Sequence, residues 1–255
     1  MIQAVSLKKL NLDPKVMRVL NTLKPYSYFK GGAAREALIN HFTPNFIKRH
    51  SKPLMDLDFV VFGDDVEWDD LYDEEKVIFN DEQNDEYWRL RNLGDVERHW
   101  SIPEYFKTRD NTLNEVLLGT DGLYYTTKAK RSACSLSVGM TDDVRPRAVL
   151  RNILFALRYG HKPPKVDIKK ALKEAFIIDQ LITLLKAYRL GLEVNFYLIL
   201  ARYNSSVRSH GDSDEYLVWL LEKFEAERGR PFNPKESADR RTVQEVLERV
   251  KYESL

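Results

Sequence analysis

Lys30-Gly31-Gly32-Ala33-Ala34-Arg35-Glu36-Ala37-Leu38, with Asp56-Leu57-Asp58-Phe59-Val60-Val61-Phe62 a short way downstream, is the stretch that decides the fold. Tyr26 to Phe29 reads as a short aromatic strand; the glycine pair breaks it, and Ala33 to His41 reads as a helix. Leu57 to Phe62 is an apolar run ending at Gly63, the pattern of a buried strand. Asp56 and Asp58 stand two apart at its start, so in an extended chain both carboxylates leave the same face. Two such carboxylates can bridge two divalent cations roughly 4 Å apart, as in-line phosphoryl transfer requires, and all-oxygen ligands favour magnesium. The glycines let backbone amides approach a triphosphate, the following helix N-terminus adds its positive dipole, and Arg35 adds a charge. A glycine pair alone is usually a turn, and an acidic pair at a strand start is usually surface or capping. Their order and proximity together point to a nucleotide site.

The rest of the chain narrows the class. Of the 255 residues, 43% are hydrophobic, enough for a real core. Cys134 is the single cysteine, which rules out an internal disulfide or a CxxC zinc site and suits a reducing compartment. The five histidines lack the HxxxH spacing of a zinc hydrolase. No stretch approaches the roughly 20 apolar residues of a membrane span, so a cytoplasmic protein without a membrane partner is expected. The net charge of +1 says nothing about nucleic acid, but the charges are segregated. Residues 56–97 are acidic and residues 128–173 are basic. Each run can be a solvated face; equally, they can be a metal-binding head and a phosphate-binding arm.

Pro14 to Leu23 reads as a helix capped by Asp13, and Val77 to Phe79 as a short strand. Residues 84–107 fit an aromatic-rich helix or an irregular segment. Leu113–Leu118 and Leu123–Thr127 form a hairpin turning at Gly119–Gly122. From Arg147 onward the pattern is helical: Ala148–Arg158, a long Ile168–Leu190, Leu192–Tyr203, Tyr216–Arg228 and Arg241–Tyr252. The expectation is an α+β chain, with a mixed-sheet head over 1–140 and an all-helical arm over 141–255.

Gly31-Gly32-x-x-Arg35-x-x-Leu38, then Asp56-x-Asp58 and an apolar strand, resembles the head of the DNA polymerase β-type nucleotidyltransferases. It is most similar to the bacterial branch of tRNA CCA-adding enzymes and poly(A) polymerases. Arg109-Asp110-Asn111-Thr112-Leu113-Asn114 resembles that family's RRDFTIN motif, and Asp142-x-x-Arg145 stands where the family has EDxxR. Leu150 to Gly160 resembles the helix that follows. Glu36 replaces the aspartate of GGxVRD, Thr108 the first arginine of RRD, and Thr141 the glutamate of EDxxR.

The resemblance implies a template-independent transfer from a nucleoside triphosphate, ATP foremost, to an acceptor hydroxyl with two magnesium ions. Asp56 and Asp58 would carry the metals, with Asp110 as third carboxylate in preference to Asp81. Gly31, Gly32 and Arg35 would hold the triphosphate, Arg109, Asp110 and Asn114 the ribose, and Asp142 and Arg145 the base. An RNA 3′ end is the expected acceptor. Arg147, Arg151 and Arg158 fall on one helix side and, with Lys165, Lys169 and Lys170, would meet its phosphates. A small-molecule or protein acceptor remains open, as does a binding module of the same fold without turnover.

Overall fold

The computed structural model describes residues 1–44, 57–69, 74–141, 145–164 and 168–233, together with Glu248. The chain divides into two compact units, Met1–Thr141 and Asp142–Leu255. The first is α+β and the second all-helical.

In the first unit a six-stranded sheet runs in the order β1-β8-β7-β2-β3-β6. Its strands are β1 (Ile2–Val5), β2 (Ser27–Lys30), β3 (Leu57–Phe62), β6 (Gly94–His99), β7 (Val116–Leu118) and β8 (Leu123–Thr126). The paired strands are antiparallel except β3 and β6, which are parallel. β4 (Asp65–Asp69) and β5 (Glu74–Ile78) form a separate two-stranded ribbon between them in sequence. Much of the acidic stretch is therefore hairpin rather than loop, and the strand expected at Val77–Phe79 is longer and shifted.

Helix α1 (Pro14–Leu20) starts as its sequence dictates, with Pro14 in the first turn and the Asp13 carboxylate accepting from the Lys15 amide at 2.7 Å. Helix α2 runs Gly31–Phe42, so the glycine pair is its first turn and not a break before it. The segment that resisted assignment is a full crossover: α3 (Asp81–Arg91), then β6, then α4 (Ile102–Lys107). Asn80 and Gln83 cap α3 reciprocally, and Ser101 caps α4. A helix that the sequence reading lacked, α5 (Thr127–Ser135), follows the hairpin.

Period-two alternation splits the sheet into two faces. Phe29, Phe59, Val61 and Val96 go to one, against α2 and α3. Tyr28, Val60 and Phe62 go to the other and pack with Leu117 and with Tyr105 and Phe106 of α4. Burying the six side chains of this second cluster contributes on the order of 10 kcal/mol of transfer free energy before conformational entropy is counted.

The second unit comprises α6 (Pro146–Arg158), α7 (Ile168–Glu174), α8 (Ile177–Leu190), α9 (Glu193–Tyr203), α10 (Ser205–Arg208) and α11 (Ser213–Arg228). The single helix expected over Ile168–Leu190 is broken at Ala175-Phe176. Phe176 is extended as the cap of α8, and the Gln180 amide donates to the carbonyl of Ala175 at 3.2 Å. Gly191 ends α8 in the left-handed conformation at φ 62°. Leu181, Leu184, Phe196, Leu200, Tyr216, Leu217 and Leu220 form the core. Apart from Glu248, the helix expected at 241–252 lies outside the described residues. No helix among the described residues is long and apolar enough to cross a membrane.

Candidate active site

The polar end of the α4-covered face begins where the sequence placed it. Lys30, the last residue of β2, pairs with Asp58 of β3, and Asp58 pairs with Asp95 of β6. The three stand in one row across the sheet. One row further along, Tyr28 pairs with Val60, and Val60 with Glu97. Asp58, Asp95 and Glu97 therefore share one face. Asp58 is half-buried, Asp95 exposed and Glu97 half-buried.

The first turn of α2 closes on this row. Gly31 has φ +61°, and a Cβ there would overlap a carboxylate oxygen of Asp58. The N-cap residue Lys30 makes no side-chain cap bond to this helix. Glycine is thus required twice over at position 31, by its backbone angle and by the approach of Asp58. The motif and the carboxylate, separated in sequence, meet as adjacent parts of one site.

Lys30 is 6% exposed, and its Nζ lies 3.0 Å from Asp95 Oδ2 and 2.6 Å from Glu97 Oε1. The other oxygen of Glu97 accepts from Arg109 Nη2 at 3.0 Å and lies 3.5 Å from His99 Nε2. Arg109 in turn donates to the Tyr105 carbonyl at 3.0 Å and lies 4.0 Å from that ring's centroid. Burial pushes the Glu97 carboxyl up, but the His99 hydrogen bond and the charges of Arg109 and Lys30 outweigh it, and its pKa falls well below the ordinary value.

This shift carries a sign for stability. A folded pKa below the unfolded value stabilises the protein fully above the ordinary glutamate pKa, about 4.3, and the contribution is lost as pH falls below it. The stability gap between the wild type and Glu97→Gln is therefore expected to shrink between about pH 5 and about pH 3. Denaturant unfolding across that range measures it; a gap that stays level or widens contradicts the pairing.

A second network adjoins the first through the Arg109-Asp110 step. Arg35, 4% exposed, donates to the side-chain oxygen of Asn114. The Asn114 amide donates to Asp110 Oδ1 at 2.6 Å, and Asn111 donates to the same oxygen at 3.2 Å. Asn111 also caps the short turn Thr112–Asn114 through the Asn114 backbone amide at 3.1 Å. Thr141 Oγ1 donates to the Arg109 carbonyl at 2.6 Å and pins the segment from outside. Arg35 thus braces Asn114 from beneath the glycine turn.

Asp56, Asp142 and Lys165 lie outside the described residues. Asp81 is exposed in the first turn of α3, where an acid complements the helix dipole. Arg145 is exposed at the start of α6 in the helical unit. Arg147 and Arg151 are exposed on α6 and Arg158 is half-buried. Arg147 lies 3.7 Å from Asp179 of its own unit. Lys169 and Lys170 are exposed on α7, and Lys169 borders a cleft of about 400 Å³ that also takes in Lys173, Tyr203 and Trp219. Cations beside aromatic rings suit a phosphate next to a base.

Asp95 and Glu97 are the functional candidates the sequence reading passed over. Their signal was present as the alternation Asp95, Glu97, His99 along Gly94–His99. Among the described residues no group of three or more metal-ligating side chains converges on one point. Asp58 carries hard oxygen donors in this row, and a divalent cation would be held there, while Lys30 engages Asp95 and Glu97.

The chain aligns with a CCA-adding enzyme bound to CTP at TM-score 0.50 and 15% identity, over 79% of this chain and 55% of that one. It aligns with a CCA-adding enzyme bound to ATP at TM-score 0.53 and 17% identity, over 80% and 54%. The chain has the nucleotidyltransferase fold. A tRNA-processing enzyme without ligand gives 0.51 at 15% identity, over 79% and 58%. The chain spans little more than half the length of these structures. No family model and no curated protein matches it. At such identity the nucleotidyltransferase fold is what is shared, and the residues above must carry any chemistry themselves.

Proposed function

We propose that the chain is a template-independent nucleotidyltransferase that moves a nucleotide from a nucleoside triphosphate to the 3′-hydroxyl of an RNA. The Asp58 carboxylate, packed against Gly31 at the start of α2 in a nucleotidyltransferase fold, is the observation that carries this reading. Asp58, with Asp56, holds the divalent cations. Bound there, magnesium would supply charge to neutralise the triphosphate and to acidify the attacking hydroxyl. The amides of Gly31 and Gly32 receive the phosphates. Asn114 and Asp110 place the ribose, and Arg35 is a positioning residue acting through Asn114. Arg109 holds Glu97 and Tyr105 in place beside them. Asp142 and Arg145 address the base. Arg147, Arg151, Arg158, Lys165, Lys169 and Lys170 meet the acceptor's phosphates. The similar enzymes hold CTP or ATP, which supports a nucleotide substrate here; ATP is the one we assign first.

The test is to incubate the protein with each labelled nucleoside triphosphate, magnesium, and either total RNA or total protein. Label is expected in RNA, and RNA affinity is expected to fall steeply with rising salt through counterion release. Glutamate at 165, 169 and 170 should weaken RNA binding at least tenfold and spare nucleotide binding. Label in protein, or RNA affinity indifferent to those changes, would replace the RNA acceptor with another. A second reading, a nucleotide-binding module without turnover, is favoured by the Lys30 ion pairs on the carboxylate face. No label in any fraction, with nucleotide still bound, would establish it.

A further inference from the structure

The cleft of about 400 Å³ in the helical unit is lined by residues of α7 to α11, and its size falls in the range of small-ligand sites, roughly 300–1,000 Å³. Its floor is fixed. The buried Tyr216 donates its hydroxyl to Gln180 Oε1 at 2.7 Å, and the Gln180 amide donates to the Ala175 carbonyl at 3.2 Å. Trp219 stacks beside Tyr216, with ring centroids 5.7 Å apart and 16° between planes, and His210 lies 4.8 Å from Trp219. The aromatic wall is therefore in place before any ligand arrives. The rim is different. Tyr203, in the last turn of α9, is 42% exposed. Lys169 and Lys173 stand one turn apart on α7, both exposed, and neither is paired with an acid among the described residues. No described acid lines the cleft, so its charge is positive and unbalanced. A solvated basic face needs no aromatic neighbours, and an apolar cleft needs no lysines. The combination matches a single nucleotide, an aromatic ring joined to a phosphate.

We propose that this cleft takes one unpaired nucleotide of the acceptor RNA, its base against Tyr203 and Trp219 and its phosphate on Lys169 and Lys173. This rests on the RNA acceptor proposed above, but it adds a demand that phosphate contacts alone do not make: the strand must present a base outside a duplex. A paired base is held within its own stack, so blunt duplex RNA offers phosphates to the lysines and nothing to the rings.

The experiment is fluorescence polarisation of the full chain with a labelled single-stranded oligoadenylate about six residues long, without nucleoside triphosphate or magnesium. Tyr203→Ala, an exposed position, is expected to weaken binding at least fivefold. The same change should have no effect on a sugar–phosphate strand of equal length that lacks bases, because the coupling is between ring and base. Lys173→Gln should weaken both strands and reduce the salt slope by about 0.7, the value for one phosphate of a single strand. It also tests the cleft independently should Tyr203→Ala fail to fold. Blunt duplex RNA should bind more weakly and be indifferent to Tyr203→Ala. Oligoadenylate binding that ignores both changes overturns the proposal, as does a Tyr203→Ala loss of equal size on the strand without bases. AMP bound in the cleft and not displaced by oligoadenylate would overturn the RNA assignment in favour of a free nucleotide. The two claims fail separately. A chain that binds oligoadenylate through Tyr203 and Lys173 but labels nothing keeps the cleft and loses the transferase. A chain that labels RNA while both variants bind oligoadenylate as the wild type does the reverse.

Discussion

Asp58→Ala is expected to lower nucleotide transfer on the order of a thousandfold, about 4 kcal/mol of barrier, while leaving the fold in place. Asp58 sits in one row with Lys30 and Asp95, pressed against the first turn of α2. Its removal takes away the carboxylate that the proposed cation would need. The same change subtracts a negative charge from a face that also carries Asp95 and Glu97, so electrostatics should favour the folded variant. Transfer measured under single-turnover conditions, beside thermal unfolding, separates the two effects. Turnover within a few fold of wild type would remove Asp58 from the chemistry. Asp56→Ala is expected to behave alike.

Gly31→Ala should produce the other large change, and it should act on stability and activity together. A non-glycine residue in the left-handed region costs about 1–2 kcal/mol. The added methyl also meets the Asp58 carboxylate and must push it aside. A fall in Tm of about 3–8 °C is expected for a chain of this size, with transfer reduced at least a hundredfold because the displaced carboxylate is the same one. Gly32→Val, by contrast, should weaken nucleoside triphosphate binding by blocking the backbone's approach to the phosphates. A Gly31→Ala protein with wild-type transfer would mean that the tight packing between turn and carboxylate is incidental.

These two residues were legible in the sequence because strong local rules mark them. An apolar β-branched run announces a buried strand, acids two apart announce a shared face, and paired glycines announce close approach. β6 had no such mark. Of its six residues only Val96 is buried, and the alternation is carried by charges on the site side. A strand that carries charges on both sides of one buried residue at the margin of a sheet lacks the apolar stripe by which strands are found. Arg35, marked by its place in the glycine motif, is buried and donates to Asn114, a long-range bond that no local pattern announces. The α7–α8 break was also hidden, since apolar spacing continues through Ala175-Phe176 and only a local bond from the Gln180 side chain to the Ala175 carbonyl marks the interruption.

The one parallel pairing among the described strands, β3 with β6, sets an order in which this face is built. β2 and β3 are antiparallel neighbours and can associate as soon as residue 62 has left the ribosome. β6 must wait for the ribbon and α3, and its docking closes a longer loop at greater entropic cost. Lys30 is therefore opposite Asp58 before Asp95 and Glu97 arrive. The acidic strand docks against a positive charge already in position, so this edge of the sheet is drawn in where bare carboxylates would have held it off.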